Sequence, residues 1–223
     1  MTIDQEYYRE VPSGGVAERL LLAARERIFR DFISNMLPSS SDEVLDVGVS
    51  DVINDGANVL ERSYLHQERI TACGLGAGHG FKAAYPLCRY VQIEANARLP
   101  FDDGSFDIAT SNAVLEHVGS YDNQVLFVKE LCRVARRVFI TVPNRFFPVE
   151  HHTSIPVAHY WDWSFRIASR IAEKSEWTDE KNLILMTRKR LWQIASTITK
   201  PATVGYTGLQ FGPLSSNLYL MFR

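Results

Sequence analysis

Leu99 to Val118 reads LPFDDGSFDIATSNAVLEHV. Phe106 to Thr110 within it is a strand candidate, and the helical pattern of Asn123 to Val134 follows, with Val125, Leu126, Val128, Leu131, Cys132 and Val134 supplying its apolar content. A short apolar run that leaves through a loop into an amphipathic helix is the repeating unit of a parallel sheet covered by helices. Upstream, Val44-Leu45-Asp46-Val47-Gly48 has the same character, an apolar run with one acid near its end, opening into a loop that holds Asp51, Asn54, Asp55 and Gly56. Arg69 to Cys73, Tyr90 to Glu94 and Val138 to Val142 add further strands of this kind, with helical or mixed stretches between them.

The chain ends differently. Thr203 to Tyr206 and Asn217 to Phe222 are separated only by Thr207 to Ser216, which contains Gly208, Gly212 and Pro213, so they are expected to pair antiparallel as a hairpin. Arg188 to Thr199 reads as the helix that delivers the chain to it. At the other end, a polar tail closes in Pro12-Ser13-Gly14-Gly15, with Ser13 available as a cap for a helix over Val16 to Leu37. That helix places Ala17, Leu20, Leu21, Ala24, Ile28, Phe32 and Met36 on one stripe, and Pro38 with three serines stops it. In open sheets of this class ligands bind beyond the carboxyl ends of the strands, so the loops after Val47, Cys73, Glu94, Thr110 and Val142 are where chemistry is expected.

With 223 residues, 46% of them hydrophobic, the chain fits one α/β domain. A formal charge of −2 offers no excess of cations for a phosphate backbone, which argues against a nucleic-acid partner. Arg133, Arg136 and Arg137 form the nearest basic patch and read as a solvated helix C-terminus. The longest apolar run near the start, Leu20 to Ala24, is far shorter than the ~20 residues that cross a bilayer, and no signal-peptide core precedes it, so a cytoplasmic protein without membrane association is expected. Cys73, Cys88 and Cys132 share no metal-binding spacing and read as buried free thiols.

The run Leu99 to Val118, followed by KELCRVARRVFITVPNRFFPVEHHT, resembles the class I S-adenosylmethionine-dependent methyltransferases, and most closely the branch that methylates small molecules, often in sugar or polysaccharide biosynthesis. The resemblance covers Val44 to His159. It implies a Rossmann-like, mostly parallel seven-stranded sheet with an antiparallel final strand and helices on both faces, in agreement with the hairpin read from the residues. Residues 1–223 are then one domain: a polar tail (1–15), the N-terminal helix (16–37), a cofactor-binding core (44–158), and a lid or acceptor segment with the C-terminal hairpin (159–223).

The resemblance also implies site residues. Asp46 and Gly48 match the acid and first glycine of the cofactor loop; a carboxylate suits an ammonium and a sulfonium, and glycine lets the backbone approach. By themselves these residues fit equally well an acid that accepts bonds from its own loop. Ser50 stands where the family has a second glycine and Val52 where a third is frequent. The ribose-binding acid at the end of strand two is missing from Thr71-Ala72-Cys73-Gly74-Leu75, which leaves the ribose to backbone near Gly74 or to polar groups from elsewhere. The adenine-binding acid falls on Ala95 when counted back from Leu99, and on Glu94 when counted forward from Val91-Gln92, which implies a one-residue insertion before Leu99; Glu94 is taken, with Asn96 as substitute. Ser111, Asn112 and Val114 follow strand four, where the family packs the methionyl part of the cofactor, and His117 joins them. For Glu116 and His117 a helix-terminal acid and its hydrogen-bonded partner is the alternative.

Beyond strand five, Glu150, His151, His152 and His159 crowd a region expected to cap the cleft. Glu150, His152 and His159 are the candidates for a general base or positioning group toward the acceptor. Metal binding by this cluster is not expected, since adjacent histidines point apart. The sequence therefore predicts a methyltransferase using S-adenosyl-L-methionine on a small-molecule acceptor, possible as a homodimer. The competing readings are a non-catalytic module with a decayed cofactor loop, and a nicotinamide oxidoreductase, which lacks its glycine fingerprint here.

Overall fold

The computed structural model describes residues 16–53 and 56–223, and side chains from Arg19 onward. The polar tail with its Pro12 to Gly15 turn, and Asn54 and Asp55 of the first loop, lie outside the described residues. Thirteen elements are used below: α1 (Val16–Met36), β1 (Val44–Val47), α2 (Val59–Ser63), β2 (Ile70–Gly74), α3 (His79–Ala84), β3 (Arg89–Gln92), β4 (Phe106–Asn112), α4 (Tyr121–Val134), β5 (Ala135–Pro143), α5 (Asp162–Ile171), α6 (Arg188–Ala195), β6 (Ala202–Phe211) and β7 (Leu214–Phe222). The seven strands form one sheet in the order β3-β2-β1-β4-β5-β7-β6. β1 to β5 pair in parallel, and β7 lies antiparallel between β5 and β6. This is the Rossmann-like sheet expected from the sequence.

Strand alternation divides the core in two. Leu45, Val47, Cys73, Ala109, Val138, Ile140, Leu218 and Leu220 face α4 and α6, packing with Val128, Leu131, Leu191 and Ile194. Val44, Ile70, Ala72, Ile108, Phe139 and Met221 face the other way, onto Phe32 and Met36 of α1, Leu60 of α2 and Phe81 of α3. Both faces are buried, so the strands read as continuous apolar runs rather than alternating ones.

Several expectations need correction. The hairpin is longer than read: β6 and β7 run to Phe211 and Leu214, leaving only Gly212-Pro213 as the turn. Gly208, taken as a loop signal, instead sits in a register shift between Thr207 and Gln210, with φ +78°. Its missing Cβ would meet Ser216 Oγ at 2.4 Å, so the glycine marks a bulge inside a strand. α6 stops at Ala195, and Leu20 of the α1 stripe is exposed.

The basic trio is not a solvated patch. Arg133 donates to the carbonyls of Leu99 and Phe101 and pairs with Glu130 and Asp103, while Glu130 also accepts from Leu99 N–H at 2.9 Å. The segment that carries the resemblance is thus clamped onto α4 by an arginine fork. Arg137 reaches the Met36 carbonyl and Asp42, tying the end of α1 to β5. Only Arg136 is solvated, 3.6 Å from Asp107. The three cysteines are free, and burial pushes each thiol up to about 12. Among the described residues no helix is long and apolar enough to cross a membrane.

Candidate active site

At the carboxyl ends of β1, β4 and β5 the sheet face that packs on α1 turns polar. The alternation that buries Val44, Ile108 and Phe139 brings Asp46, Thr110, Asn112 and Thr141 next on the same side. With Arg25 of α1, Gly48 and Ser50 they line a cleft of about 620 Å3, counting its open mouth. Gly48 is required here by geometry: its φ is +103°, and a Cβ would lie 2.2 Å from Val114 Cγ2. Val114 therefore packs directly on the Gly48 loop.

The first loop departs from the glycine-rich pattern by a specific exchange. Asn58 Nδ2 donates to the Ser50 carbonyl at 2.8 Å, and Ser50 N–H donates to Asn58 Oδ1 at 2.9 Å. Ser50 Oγ accepts from Val52 N–H. A side chain thus secures the loop where glycines would let it wind tightly. Asn58 was not anticipated, because nothing local in the sequence pairs it with Ser50.

Asp46 is buried beside Arg25 and Glu61. Burial pushes its carboxyl up to about 7, against the pull of the Arg25 charge. Glu61, fully buried on α2, is raised well above the usual carboxylate range by burial and by Asp46, and neither of its oxygens has a hydrogen-bond partner.

The loop after β2, which lacks the acid, is covered by Tyr90. A side chain at Gly74 would come within 2.5 Å of the Tyr90 hydroxyl, and one at Gly78 within 2.4 Å of the Tyr90 ring. Tyr90 Oη donates to the Gly76 carbonyl and Gln92 Nε2 to the Leu75 carbonyl, so β3 supplies the polar groups over this loop. Glu94 and Asn96 are both exposed beyond the end of β3, Asn96 with φ +56°. Ser111 is fully buried, and its hydroxyl donates to the Val47 carbonyl at 2.7 Å, so it braces β1 against β4 and its side chain does not face the cleft. Asn112 Oδ1 accepts from Thr141 Oγ1 at the cleft wall.

A second centre forms after β5. Glu150 Oε2 accepts from the N–H groups of His152 and Thr153 and from Thr153 Oγ1, and Oε1 meets His152 Nδ1 at 2.9 Å. Burial works to raise this carboxyl, but the bond to His152 and the Thr153 donors hold it well below the ordinary range. Across the site, His152 Nε2 lies 3.1 Å from His117 Nε2, and His117 Nδ1 lies 2.6 Å from the Asn182 carbonyl. His117 thus belongs with Glu150 and His152 rather than with the cofactor loop, and both imidazole rings pack on Trp177. Burial and the neighbouring His152 push it down to about 4, a neutral imidazole at pH 7. His159 is buried with Nε2 on the Phe147 carbonyl at 2.8 Å, which makes it a support of the loop. Trp177 and Asn182, distant in sequence, were not legible as parts of this centre.

Residues 68–138 match a family model described as a methyltransferase domain. Among solved structures, a SAM-dependent methyltransferase from Methanosarcina mazei is 15% identical with a TM-score of 0.58, over 85% of this chain and 94% of that one. One from Aquifex aeolicus is 14% identical, TM-score 0.56, over the full length of both chains. One from Mesorhizobium loti is 13% identical, TM-score 0.58, over 90% of this chain and 98% of that one. No curated protein matches the chain by sequence. At these identities the structural likeness speaks to the fold.

Proposed function

We propose that this chain, a class I methyltransferase fold bearing the methyltransferase domain and with it S-adenosylmethionine as the implied cofactor, transfers a methyl group to a small molecule, such as a sugar or a polysaccharide precursor. The observation that carries the reading is the polar cleft at the carboxyl ends of β1 and β4, where Gly48 keeps the backbone bare and Asp46 stands beneath it. These residues fit the cofactor: a bare loop for close approach, a buried acid for its cationic end, and an exposed Glu94 beyond β3 for its base. Bound there, S-adenosylmethionine would supply a methyl already activated by a sulfonium. The chain's own task is to hold the acceptor in line with it, the entropic part of the barrier.

Glu150 orients His152, and the pair of imidazoles is the group nearest in character to a proton acceptor for a hydroxyl substrate. The small-molecule acceptor rests on the balanced charge, which lacks the cations a nucleic-acid substrate calls for. Cytoplasmic residence belongs to the same reading. The non-catalytic alternative draws on the Ser50–Asn58 clasp in place of the glycine loop.

Isothermal titration separates the two. Binding of S-adenosylmethionine and S-adenosylhomocysteine that Asp46→Ala weakens at least tenfold supports the proposal. No binding at millimolar cofactor overturns it. A panel of small-molecule acceptors, followed by release of S-adenosylhomocysteine, then identifies the substrate.

A further inference from the structure

The contact between His117 and His152 poses a problem of proton arithmetic. His152 Nδ1 faces the Glu150 carboxylate and His117 Nδ1 faces the Asn182 carbonyl, both acceptors, so each Nδ1 carries the hydrogen. Neither Nε2 then has a hydrogen of its own to give the other, and the two point at each other across 3.1 Å. Something electrophilic belongs between them, a proton or a metal ion.

Glu116 decides between these. Its side chain is 1% exposed, neither carboxylate oxygen has a hydrogen-bond partner, and Oε1 lies 4.0 Å from His117 Nε2. A proton shared by the imidazoles leaves that buried side chain without a hydrogen-bond partner; a cation bound by all three engages it together with both nitrogens. We propose that Glu116, His117 and His152 hold one divalent transition-metal ion, of the zinc type, at the mouth between the end of β4 and the loop after β5.

The geometry is that of a metal centre. One ligand atom from each residue lies within 4.8 Å of the others. Two nitrogens 3.1 Å apart, each about 2.05 Å from one ion, subtend roughly 98° at it, between the octahedral and tetrahedral angles. The outer groups are also in place: a carboxylate behind His152 and a backbone carbonyl behind His117 fix the rings so that both Nε2 atoms face inward, as metal-ligating histidines require. Two imidazoles and one carboxylate suit zinc or a first-row relative, with a position left for water or a ligand oxygen. The His117 side chain, 30% exposed, gives an entry path. The inference stands whether or not the chain transfers methyl groups.

The test uses the full chain, stripped with a chelator and titrated calorimetrically with zinc chloride, then with cobalt(II) followed by visible absorption. One equivalent is expected to bind, with a cobalt spectrum of low coordination number. Glu116→Gln and His117→Asn are each expected to weaken zinc binding more than about 100-fold, and Glu150→Gln, behind His152, about 10–100-fold. His66→Asn, away from the centre, is expected to bind as the parent does. Absence of saturable binding, or binding unchanged in both Glu116→Gln and His117→Asn, overturns the proposal. Should those variants fail to fold by circular dichroism, the parent cobalt spectrum decides: one indistinguishable from the hydrated ion overturns it.

Discussion

Asp46 and Glu150 are both buried carboxylates at the carboxyl edge of the sheet, and they are moved in opposite directions. Asp46 is pushed up to about 7, while Glu150 is held well below the ordinary range. Burial raises both; the difference is donors. Glu150 collects two backbone N–H groups, a hydroxyl and an imidazole from its own tight loop. Asp46 has Arg25 nearby but shares its pocket with a second acid, Glu61. The loop after β5 is built around a fixed negative charge, and the cleft by β1 keeps an adjustable one.

Removing the acid from the donor-rich centre is expected to have the largest effect. Glu150→Ala strands four donors in a buried loop and should cost about 3–5 kcal/mol, read as a lowered urea midpoint. A cost under ~1 kcal/mol would mean that the loop, not the carboxylate, holds the centre together. Gly48→Ala tests the other region: a strained φ and an overlap with Val114 predict a loss of about 1–3 kcal/mol and weaker cofactor binding.

The adjustable charge has a pH signature. Asp46 ordinarily titrates at 3.8 and in the folded chain at about 7, so between those values the folded state holds a proton the unfolded state has lost. The stabilisation is therefore fully present below about pH 4 and is lost as pH rises through about 7. The melting temperature is expected to fall from pH 5 to pH 8, and Asp46→Asn to flatten that slope; an unchanged slope in Asp46→Asn would assign it elsewhere. The smallest effect is at the clasp. Ser50→Gly removes the bond to Val52 N–H and should cost up to about 1 kcal/mol with cofactor affinity unchanged. A gain in affinity would favour the decayed-loop reading.

How much could be read beforehand follows the range of the forces involved. Strands such as Val44 to Val47 and Phe106 to Asn112 announce themselves because both faces are buried and the apolar run is continuous. Gly208 misled because a bulge and a loop use glycine for the same left-handed backbone, and only the partner strand tells them apart. His117 was placed with the cofactor by its position after β4, yet its partner His152 is 35 residues away. Tyr90 filling the space over Gly74 was equally out of reach, since the two lie on different strands.

By itself the sequence determined the seven strands, the helices between them, the antiparallel end and the bare Gly48, because each depends on local hydrophobic spacing or on one residue's backbone freedom. Which side chains meet was decided only by the tertiary structure. Asp46 with Glu61 and Arg25, and Glu116 with His117 and His152, come together because the pleat of the sheet and the paths of two loops aim them at common points, and no local pattern encodes that convergence.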